Sequence, residues 1–555
     1  MAFRCMNCNG NMVFDVASQQ MLCQHCGSTV PPESFRVRDN SPHITIPGTG
    51  GSPNECRYCG ANLEDPVGFC PYCGGRNPLG EPGQTASAAP ELSHFECQNC
   101  GAALESTEES MIGVCPYCGG QSMLQTGESQ MNVERLIPFQ VTRDNCAAGY
   151  RDFAKKIPYL PAELKKPEFL QSFTGIYMPY YTYDVALGKS SIKGEKTVER
   201  HSSYEVVNTY QIDANVDGEY CGIPYDASRY LDDEISARTL PFKAQLERPF
   251  HPAYLSGFYA DAATVDAGTY YTDAAEQASS DVVDAVSDMV YQNDKIKVDK
   301  AASSVEARVQ SHHPVLFPLW FLTWRKGERV AYAVVNGESG KVVSDLPVDM
   351  RTFAMGCGVI SLVLFGILEL FFQPTPLITS MMSLVAALLM ALGIRSSAKT
   401  VYEKQVHAND KGWTAGEAPR DQPQKKKKLK MPTTLLTVLI IFGISAVYET
   451  GSVSVAKYIV LLAAVLVSVV TCGNVMSWQK DIQEKDPVIA AVVLVATVVL
   501  NALIIIISPV NDVWYYLGDL ICILGLVVAA VGMLRTYNVG TTRPLPKLFD
   551  RNEVV

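Results

Sequence analysis

Lysine is absent from residues 1–131, which contain five arginines and 13 acidic residues and therefore carry a net charge of −8. Residues 132–350 are also acidic, and only the remainder of the chain is basic. A surface that binds nucleic acid normally presents a surplus of Lys and Arg to the phosphates. The missing cations argue against nucleic acid as a partner.

Two further features are missing. The first ten residues contain two cysteines and polar residues instead of the apolar core of a secretory signal, so we expect no signal peptide. The fragment Gly188-Lys189-Ser190 resembles the end of a phosphate loop, but Tyr183 stands where that loop requires glycine. No nucleophile or acid–base constellation is recognisable, and we therefore predict that the protein is not an enzyme.

Cysteine, in contrast, is concentrated at the N-terminus, where 12 of the 17 cysteines form six Cys-x2-Cys pairs. Two pairs make one module. Module one contains Cys5, Cys8, Cys23 and Cys26; module two contains Cys56, Cys59, Cys70 and Cys73; module three contains Cys97, Cys100, Cys115 and Cys118. This spacing suits one metal ion per module better than a disulfide framework, and thiolate ligands require a reducing compartment such as the cytosol.

Each module predicts a small β zinc ribbon with a tetrahedral site of four thiolates. Such a site has no open position for water, so we expect three structural zinc ions and no catalytic metal. His25 would be a fifth donor in a full site and is interpreted as a bystander. The predicted ribbons span residues 1–30, 55–76 and 95–122. The linkers 31–54 and 77–94 are rich in Pro, Gly, Ser and Ala, which predicts ribbons that move as independent beads.

Residues 132–350 predict an α+β domain. Apolar residues at helical spacing indicate helices at 142–156 and 273–293. Segments rich in β-branched and aromatic residues predict strands at 175–187, 204–212 and 316–324.

Four segments of this region resemble a known family. They are Ile137-Pro138-Phe139, the Gly175–Asp184 stretch GIYMPYYTYD, Tyr254-Leu255-Ser256-Gly257-Phe258 and the Val335–Val343 stretch VNGESGKVV. Over most of residues 95–350 the chain resembles uncharacterised bacterial membrane proteins that place transcription-factor-B-type zinc ribbons ahead of an α+β domain and membrane helices. Some of these are labelled as similar to the zinc region of the primosomal replication-restart helicase. The resemblance implies this architecture without an established activity, and it leaves the first two ribbons unassigned.

The C-terminal part of the chain predicts an all-α region of six transmembrane helices. Its apolar runs are residues 353–372, 377–394, 433–447, 453–471, 488–507 and 513–533. About 20 apolar residues cross a bilayer. We divide this part into a hairpin (351–394), a basic loop (395–431), four further helices (432–535) and a tail (536–555).

The distribution of Lys and Arg predicts the orientation of these helices. Residues 395–430 contain ten of them, whereas the loops 373–376, 449–452 and 508–512 contain none. Because positive loops remain in the cytoplasm, we place the basic loop and both termini there.

Two polar residues stand near the outer end of the last two helices. Asn501 and Asp519 both lie about 9 Å below the predicted outer surface, at 1.5 Å per residue. They could contact each other, with Lys457 extending the pair. Alternatively, each could extend separately to the interface, and the shallow depth favours this second arrangement.

Together these features predict a multi-pass membrane protein that is non-catalytic and presents its cytoplasmic ribbons and α+β domain to protein partners. The lipid bilayer is its other partner. One alternative is a nucleic-acid-associated ribbon protein of replication or transcription. The other is a transporter or small-molecule handler, which only the polar residues within the helices support.

Overall fold

The computed structural model describes most of the chain. The described residues are 3–35, 93–97, 103–106, 117, 123–128, 133–166, 170, 172–212, 218–326, 329–371, 373–405, 410–414, 453–479 and 486–544. All of module two, much of module three, the apolar run 433–447 and most of the basic loop lie outside them.

Module one forms a three-stranded antiparallel sheet from β1 (Met12–Asp15), β2 (Gln20–Cys23) and β3 (Thr29–Val30). Side chains alternate between the faces of a strand, and Met12, Phe14 and Met21 are all buried. Beyond β3 a single 3-10 turn, Pro32–Ser34, leads to the buried ring of Phe35. The sheet therefore has one apolar face, which continues past the predicted end of the ribbon.

Residues 133–349, called here the β-rich region, share a large sheet with module three. In chain order, the first strands of this sheet are β4 (Ser93–Cys97), β5 (Ala103–Ser106), β6 (Met123–Glu128), β7 (Arg135–Leu136) and the long strand β8 (Thr174–Arg200). The next strands are β9 (Glu205–Ile212), β10 (Gly218–Asp226), β11 (Arg248–Pro249), β12 (Tyr259–Asp261) and β13 (Lys297–Val298). The last strands are β14 (Ser304–Lys326), β15 (Arg329–Asn336), β16 (Val342–Ser344) and β17 (Arg543–Pro544).

The two long strands β8 and β14 form the spine of this sheet. They pair antiparallel from Thr174 opposite Phe321 to Ser191 opposite Ser304. The main path of the sheet runs β11-β7-β14-β8-β12-β5-β4-β6. The tyrosine-rich start of β8 is buried, which agrees with a strand covered on both faces. Each of the three predicted strands forms, and β8 and β14 extend well beyond their predicted bounds.

Three α-helices accompany the sheet in the part of this region that the structure describes. They are α1 (Arg143–Lys156), α2 (Asp233–Thr239) and α3 (Tyr271–Asp294). The side chain of Thr142 caps α1 by accepting a hydrogen bond from the backbone N–H of Asn145. The helices predicted at 142–156 and 273–293 thus form, and α3 packs its buried Ala274, Ala278 and Val283 toward β8 and β14.

Module one does not stand apart as an independent bead, so that prediction is wrong for this module. The ring of Phe14 packs edge-on against Tyr254 at 5.1 Å, and its backbone N–H donates to the Ser256 carbonyl at 3.1 Å. The Ser256 hydroxyl donates to the Met12 carbonyl at 2.8 Å. Phe3, Phe14 and Phe35 belong to one core cluster with the β-rich region. The free energy gained by burying these rings offsets the conformational entropy that is lost when module one is held in place.

Residues predicted as the first linker contribute to this docking. The Tyr254 hydroxyl donates to the Glu33 carboxylate at 2.6 Å, and the His251 ring bonds to the Phe35 carbonyl at 2.8 Å. Burial lowers the pKa of His251. A neutral imidazole donating Nε2–H to Phe35 fits these surroundings.

Among the described residues, five helices are long and apolar enough to cross a membrane. They are α4 (Met350–Phe371), α5 (Pro376–Gln405), α7 (Val453–Gln479), α8 (Asp486–Ile507) and α9 (Val513–Thr541). A short helix, α6 (Lys411–Thr414), follows α5. These five helices correspond to five of the six predicted runs, and the sixth, 433–447, is outside the part of the chain that the structure describes.

Asn501 and Asp519 adopt neither of the two arrangements considered from the sequence. Both side chains are buried inside the helix bundle, so they do not extend separately to the interface. The Asn501 amide donates to the Thr497 carbonyl at 3.0 Å and to Cys522 Sγ at 3.3 Å. Lys457 donates to the Ser508 hydroxyl at 2.7 Å and so does not extend an Asn501–Asp519 pair. Depth in the bilayer does not determine the position of these two side chains, because the neighbouring helices, and not the lipid, surround them.

One end of the helix bundle contacts the β-rich region. Val348, just before α4, exchanges two hydrogen bonds of 2.8 Å with the Asn538 amide near the end of α9. After α5, the backbone N–H of Lys411 donates to Asp233 at 2.8 Å. The start of α4 and the ends of α5 and α9 therefore lie on the side of the β-rich region.

Candidate metal centre

Module one brings four sulfur atoms together. The thiols of Cys5, Cys8, Cys23 and Cys26 all lie within 4.8 Å of one another. Two of the separations are 3.6 Å, between Cys5 and Cys26, and 3.4 Å, between Cys8 and Cys23. A tetrahedral ion with metal–sulfur bonds near 2.3 Å requires sulfurs about 3.8 Å apart. The observed spacing therefore fits a four-coordinate metal with small adjustments.

Two similar backbone turns present these sulfurs. In the first turn the N–H of Asn9 donates to the Cys5 carbonyl at 2.8 Å, and in the second the N–H of Gly27 donates to the Cys23 carbonyl at 2.9 Å. Asn9 has φ 59° and Gly27 has φ 72°, both in the left-handed region that Gly and Asn tolerate best. Asn9 thus occupies the position that glycine takes after the other pairs.

Gly10 permits the close approach of the two turns. A Cβ atom at this position would lie 3.2 Å from Cys8 Sγ, 3.3 Å from Cys23 Sγ and 2.9 Å from the His25 Cβ. The space beside the sulfurs is therefore too narrow for a larger residue. His25 itself stands outside the sulfur cluster, which agrees with its interpretation as a bystander.

Neighbouring groups shift the pKa values of the clustered thiols in both directions. The Ser28 hydroxyl and backbone N–H donate hydrogen bonds that lower the pKa of Cys26 to about 6. Backbone N–H groups of Cys26 and His25 lower the pKa of Cys23 against a smaller opposing effect of burial. For Cys8, the lowering effect of the Gly10 backbone N–H is outweighed by hydrogen bonds with the thiols of Cys26 and Cys23, which raise its pKa to about 12. Because metal ions bind the thiolate, a bound metal would displace the remaining protons.

Of the other eight predicted ligands, the structure describes Cys97, which is buried in β4. Cys56, Cys59, Cys70, Cys73, Cys100, Cys115 and Cys118 lie outside the described residues. Module three nevertheless has a defined place, because β5 pairs with β12 of the β-rich region. Tyr117, between two of its predicted ligands, donates to the buried Asp261 at 2.7 Å.

No protein-family model matches the chain, and no solved structure does. A similarity is found to the uncharacterized protein YdjG of Bacillus subtilis (strain 168), with 23% identity over 221 residues. The aligned part is 39% of this chain and 63% of that relative, so the chain spans less than two thirds of the relative's length. The name of this relative carries no activity.

Proposed function

We propose that the protein is a multi-pass membrane protein that holds three structural zinc ribbons at the cytoplasmic face as a non-catalytic surface for protein partners. The observation that carries the proposal is the packing of module one. Its four thiols form a closed donor set, and its apolar face is buried against the β-rich region. A metal held in this way shapes a surface and leaves no ligand position for a substrate.

Zinc is the metal that the chemistry favours. Four thiolates in a tetrahedral arrangement select zinc or iron–sulfur chemistry over the hard cations that prefer oxygen. Modules two and three repeat the Cys-x2-Cys spacing of module one, with glycine directly after the second cysteine of each pair. We therefore propose one zinc ion per module and three per chain.

The ends of the described helices support six spans. The end of α5 lies on the side of the β-rich region, through the contact of Lys411 with Asp233. Lys457 at the start of α7 bonds to Ser508 beyond α8, at the opposite end of the bundle from the Asp486–Arg535 pair. These contacts favour an odd number of crossings between α5 and α7, and the run 433–447 is the apolar candidate for that crossing.

The same parity supports a topology with both termini and the basic loop on one side. The thiols of module one need a reducing compartment, and ten Lys and Arg residues in 395–430 favour the cytoplasm. These two arguments use different residues and give the same orientation. A cysteine introduced at Ser452 should react with an impermeant thiol reagent in intact cells, whereas one replacing Lys426 should not. Labelling from outside at position 426 would contradict the orientation.

Module one offers an exposed surface to a partner. Met6, in the turn between Cys5 and Cys8, is 64% exposed, and it belongs to the acidic, lysine-free part of the chain at residues 1–131. Exposed methionine is an adaptable contact for proteins, whereas phosphate recognition needs cations. A photo-crosslinking residue at position 6 in native membranes should capture a protein, and Cys23→Ser should abolish capture. The same crosslinker at Tyr204, on the distal part of the sheet, serves as the control. Salt-sensitive retention of DNA or RNA by the full chain, without protein capture, would favour the nucleic-acid alternative.

One observation favours a second function, the handling of a small solute within the membrane. Oxygen atoms of Thr379, Ser383, Asn501 and Asp519 are buried in the bundle without hydrogen-bond partners. Unsatisfied oxygen atoms are costly in the bilayer and would be stabilised by a bound cation or solute. Sodium chloride should then stabilise the full-length protein more than choline chloride at equal ionic strength, and Asn501→Leu should remove the difference. Equal stabilisation by the two salts would exclude a sodium site.

A further inference from the structure

A large cleft opens in the β-rich region, away from the sulfur cluster. It has a volume of about 950 Å³ and lies between β10, α2 and the start of α3. Six carboxylates line it: Asp226, Asp233, Glu234, Glu247, Asp273 and Asp281. Lys411 is the single Lys or Arg among the lining residues. Small-molecule sites in proteins have volumes of about 300–1,000 Å³, so the cleft is of a size to enclose an organic ligand.

Asp226 is the innermost acid of the cleft. It ends β10 opposite Tyr180 and is 2% exposed. One of its carboxylate oxygens, Oδ2, is buried without a hydrogen-bond partner. The side chain of Ser236 interacts with the carboxyl group, but Oδ2 remains without a donor. A buried oxygen without a donor is costly, and a donor that enters the cleft would remove this cost.

The acids around Asp226 repel one another. Burial and the nearby charge of Asp233 raise the pKa of Asp226 well above its usual range. Burial is also the main reason that the pKa of Asp233 rises to about 6, and Asp410 contributes to the rise. Like-charged carboxylates that are held together favour any ligand that brings positive charge.

The chain itself shows what kind of group these acids accept. The ammonium group of Lys411 lies 2.5 Å from both carboxylate oxygens of Asp273 at the edge of the cleft. Its backbone N–H donates to Asp233 at 2.8 Å. One ammonium therefore already binds at the rim, while Asp226 in the interior has none.

Aromatic rings supply the apolar part of the lining. Tyr225 and Tyr270 stack at 4.9 Å with an interplanar angle of 12°, and Phe242 and Phe317 stack at 4.4 Å and 29°. Ring faces attract cations and also bury apolar groups. Carboxylates combined with aromatic faces suit an organic cation better than an inorganic ion. Among the described residues, the four cysteines of module one are the one group of His, Cys, Asp or Glu close enough to hold a metal.

We propose that the cleft is a binding site for an organic amine, whose protonated nitrogen lies between Asp226 and Asp233 and whose aromatic or apolar body packs on the stacked rings. This site is separate from the proposed ribbon surface and does not depend on it. Because Lys411 joins the cleft to the end of α5, an amine bound there also contacts the connection between the β-rich region and the membrane helices.

The test compares two probes of the same shape with the full-length protein in detergent. Phenethylammonium chloride should bind saturably in calorimetry, whereas 2-phenylethanol, which lacks the charge, should bind at least about tenfold more weakly, because a charge-assisted hydrogen bond is roughly twice as strong as a neutral one. Asp226→Asn should weaken phenethylammonium binding by about tenfold or more. Asp288→Asn, an exposed acid on α3 that does not line the cleft, is the matched control and should leave binding unchanged.

A second variant distinguishes a loss of binding from a folding defect caused by the change at the buried Asp226. Asp273 has a side chain that is 26% exposed at the rim, so Asp273→Asn leaves the buried core intact. It should also weaken phenethylammonium binding, with an unchanged melting temperature. The proposal is overturned if the full-length protein binds neither probe, if both probes bind equally, or if Asp226→Asn and Asp273→Asn both bind phenethylammonium as the unaltered protein does.

Discussion

Modules one and three both dock on the β-rich region by burying side chains, but module three also pairs a strand with it. Module one inserts side chains: Phe3, Phe14 and Phe35 enter the aromatic core. Module three also buries side chains in the core of the β-rich region, namely Cys97, Leu104 and Tyr117, and in addition its strand β5 pairs with β12. Non-directional burial allows module one to attach through a ribbon face, whereas strand pairing fixes module three in register. Modules one and three are therefore parts of one folded unit with the β-rich region, although segments rich in Pro and Gly separate them in the sequence.

The largest effect should come from removing one ligand of module one. Cys23→Ser should unfold this module, because a structural zinc site contributes about 10–16 kcal/mol to the folding of such a small unit. Chymotrypsin, which cleaves after aromatic residues, should then cut at Phe14 in the full-length protein.

The matched control is Cys221→Ser, which alters an exposed thiol of β10 outside the sulfur cluster. It should leave the digestion pattern unchanged. If Phe14 remained protected in the Cys23→Ser variant, the apolar docking alone would hold the module, and the metal would be dispensable.

A smaller effect should come from weakening the docking and leaving the sulfurs in place. Phe14→Ala removes a buried ring that packs on Tyr254, and such truncations cost about 3–5 kcal/mol. The protein should keep its metal content and lose protection of module one against proteolysis. Met6→Ala, at an exposed position, is the control. Loss of metal together with docking would show that the ribbon cannot fold away from the β-rich region.

The smallest effect should come from module three. Tyr117→Phe removes one hydrogen bond to Asp261, which the Ser228 hydroxyl also contacts. Loss of a bond to a buried carboxylate costs about 1–3 kcal/mol, and the remaining contacts and strand pairing should keep the module in place. Thermal unfolding should show a modest decrease in melting temperature, with Tyr204→Phe at an exposed position as the control. A collapse as large as that of Phe14→Ala would mean that this bond, and not the pairing of β5, attaches the module.

The sequence allowed the local features to be predicted because their signals are local. The Cys-x2-Cys pairs of module one lie within 22 residues and do assemble. The five apolar runs that the structure describes form helices, because length and composition suffice. Strands at 175–187 and 316–324 were visible from their tyrosines, valines and leucines. Their extension into the polar ends of β8 and β14 was not, because cross-strand pairing rather than composition determines those ends.

The docking and the cleft could not be predicted because they join distant residues. Phe14 meets Tyr254, and Asp226 lies near residues of α3 and Lys411, all far apart in the sequence. One signal for the docking was present: Met12, Phe14 and Met21 alternate with more polar residues and give the small sheet an apolar face. The acids of the cleft had no such signal, because isolated aspartates usually indicate a solvated surface.

The metal content of the full-length protein, purified under reducing conditions, tests the proposed zinc ribbons most directly. Elemental analysis should give close to three zinc ions per chain, decreasing to two in the Cys23→Ser variant. A value near zero, with oxidised cysteines, would contradict both the zinc ribbons and their cytoplasmic location.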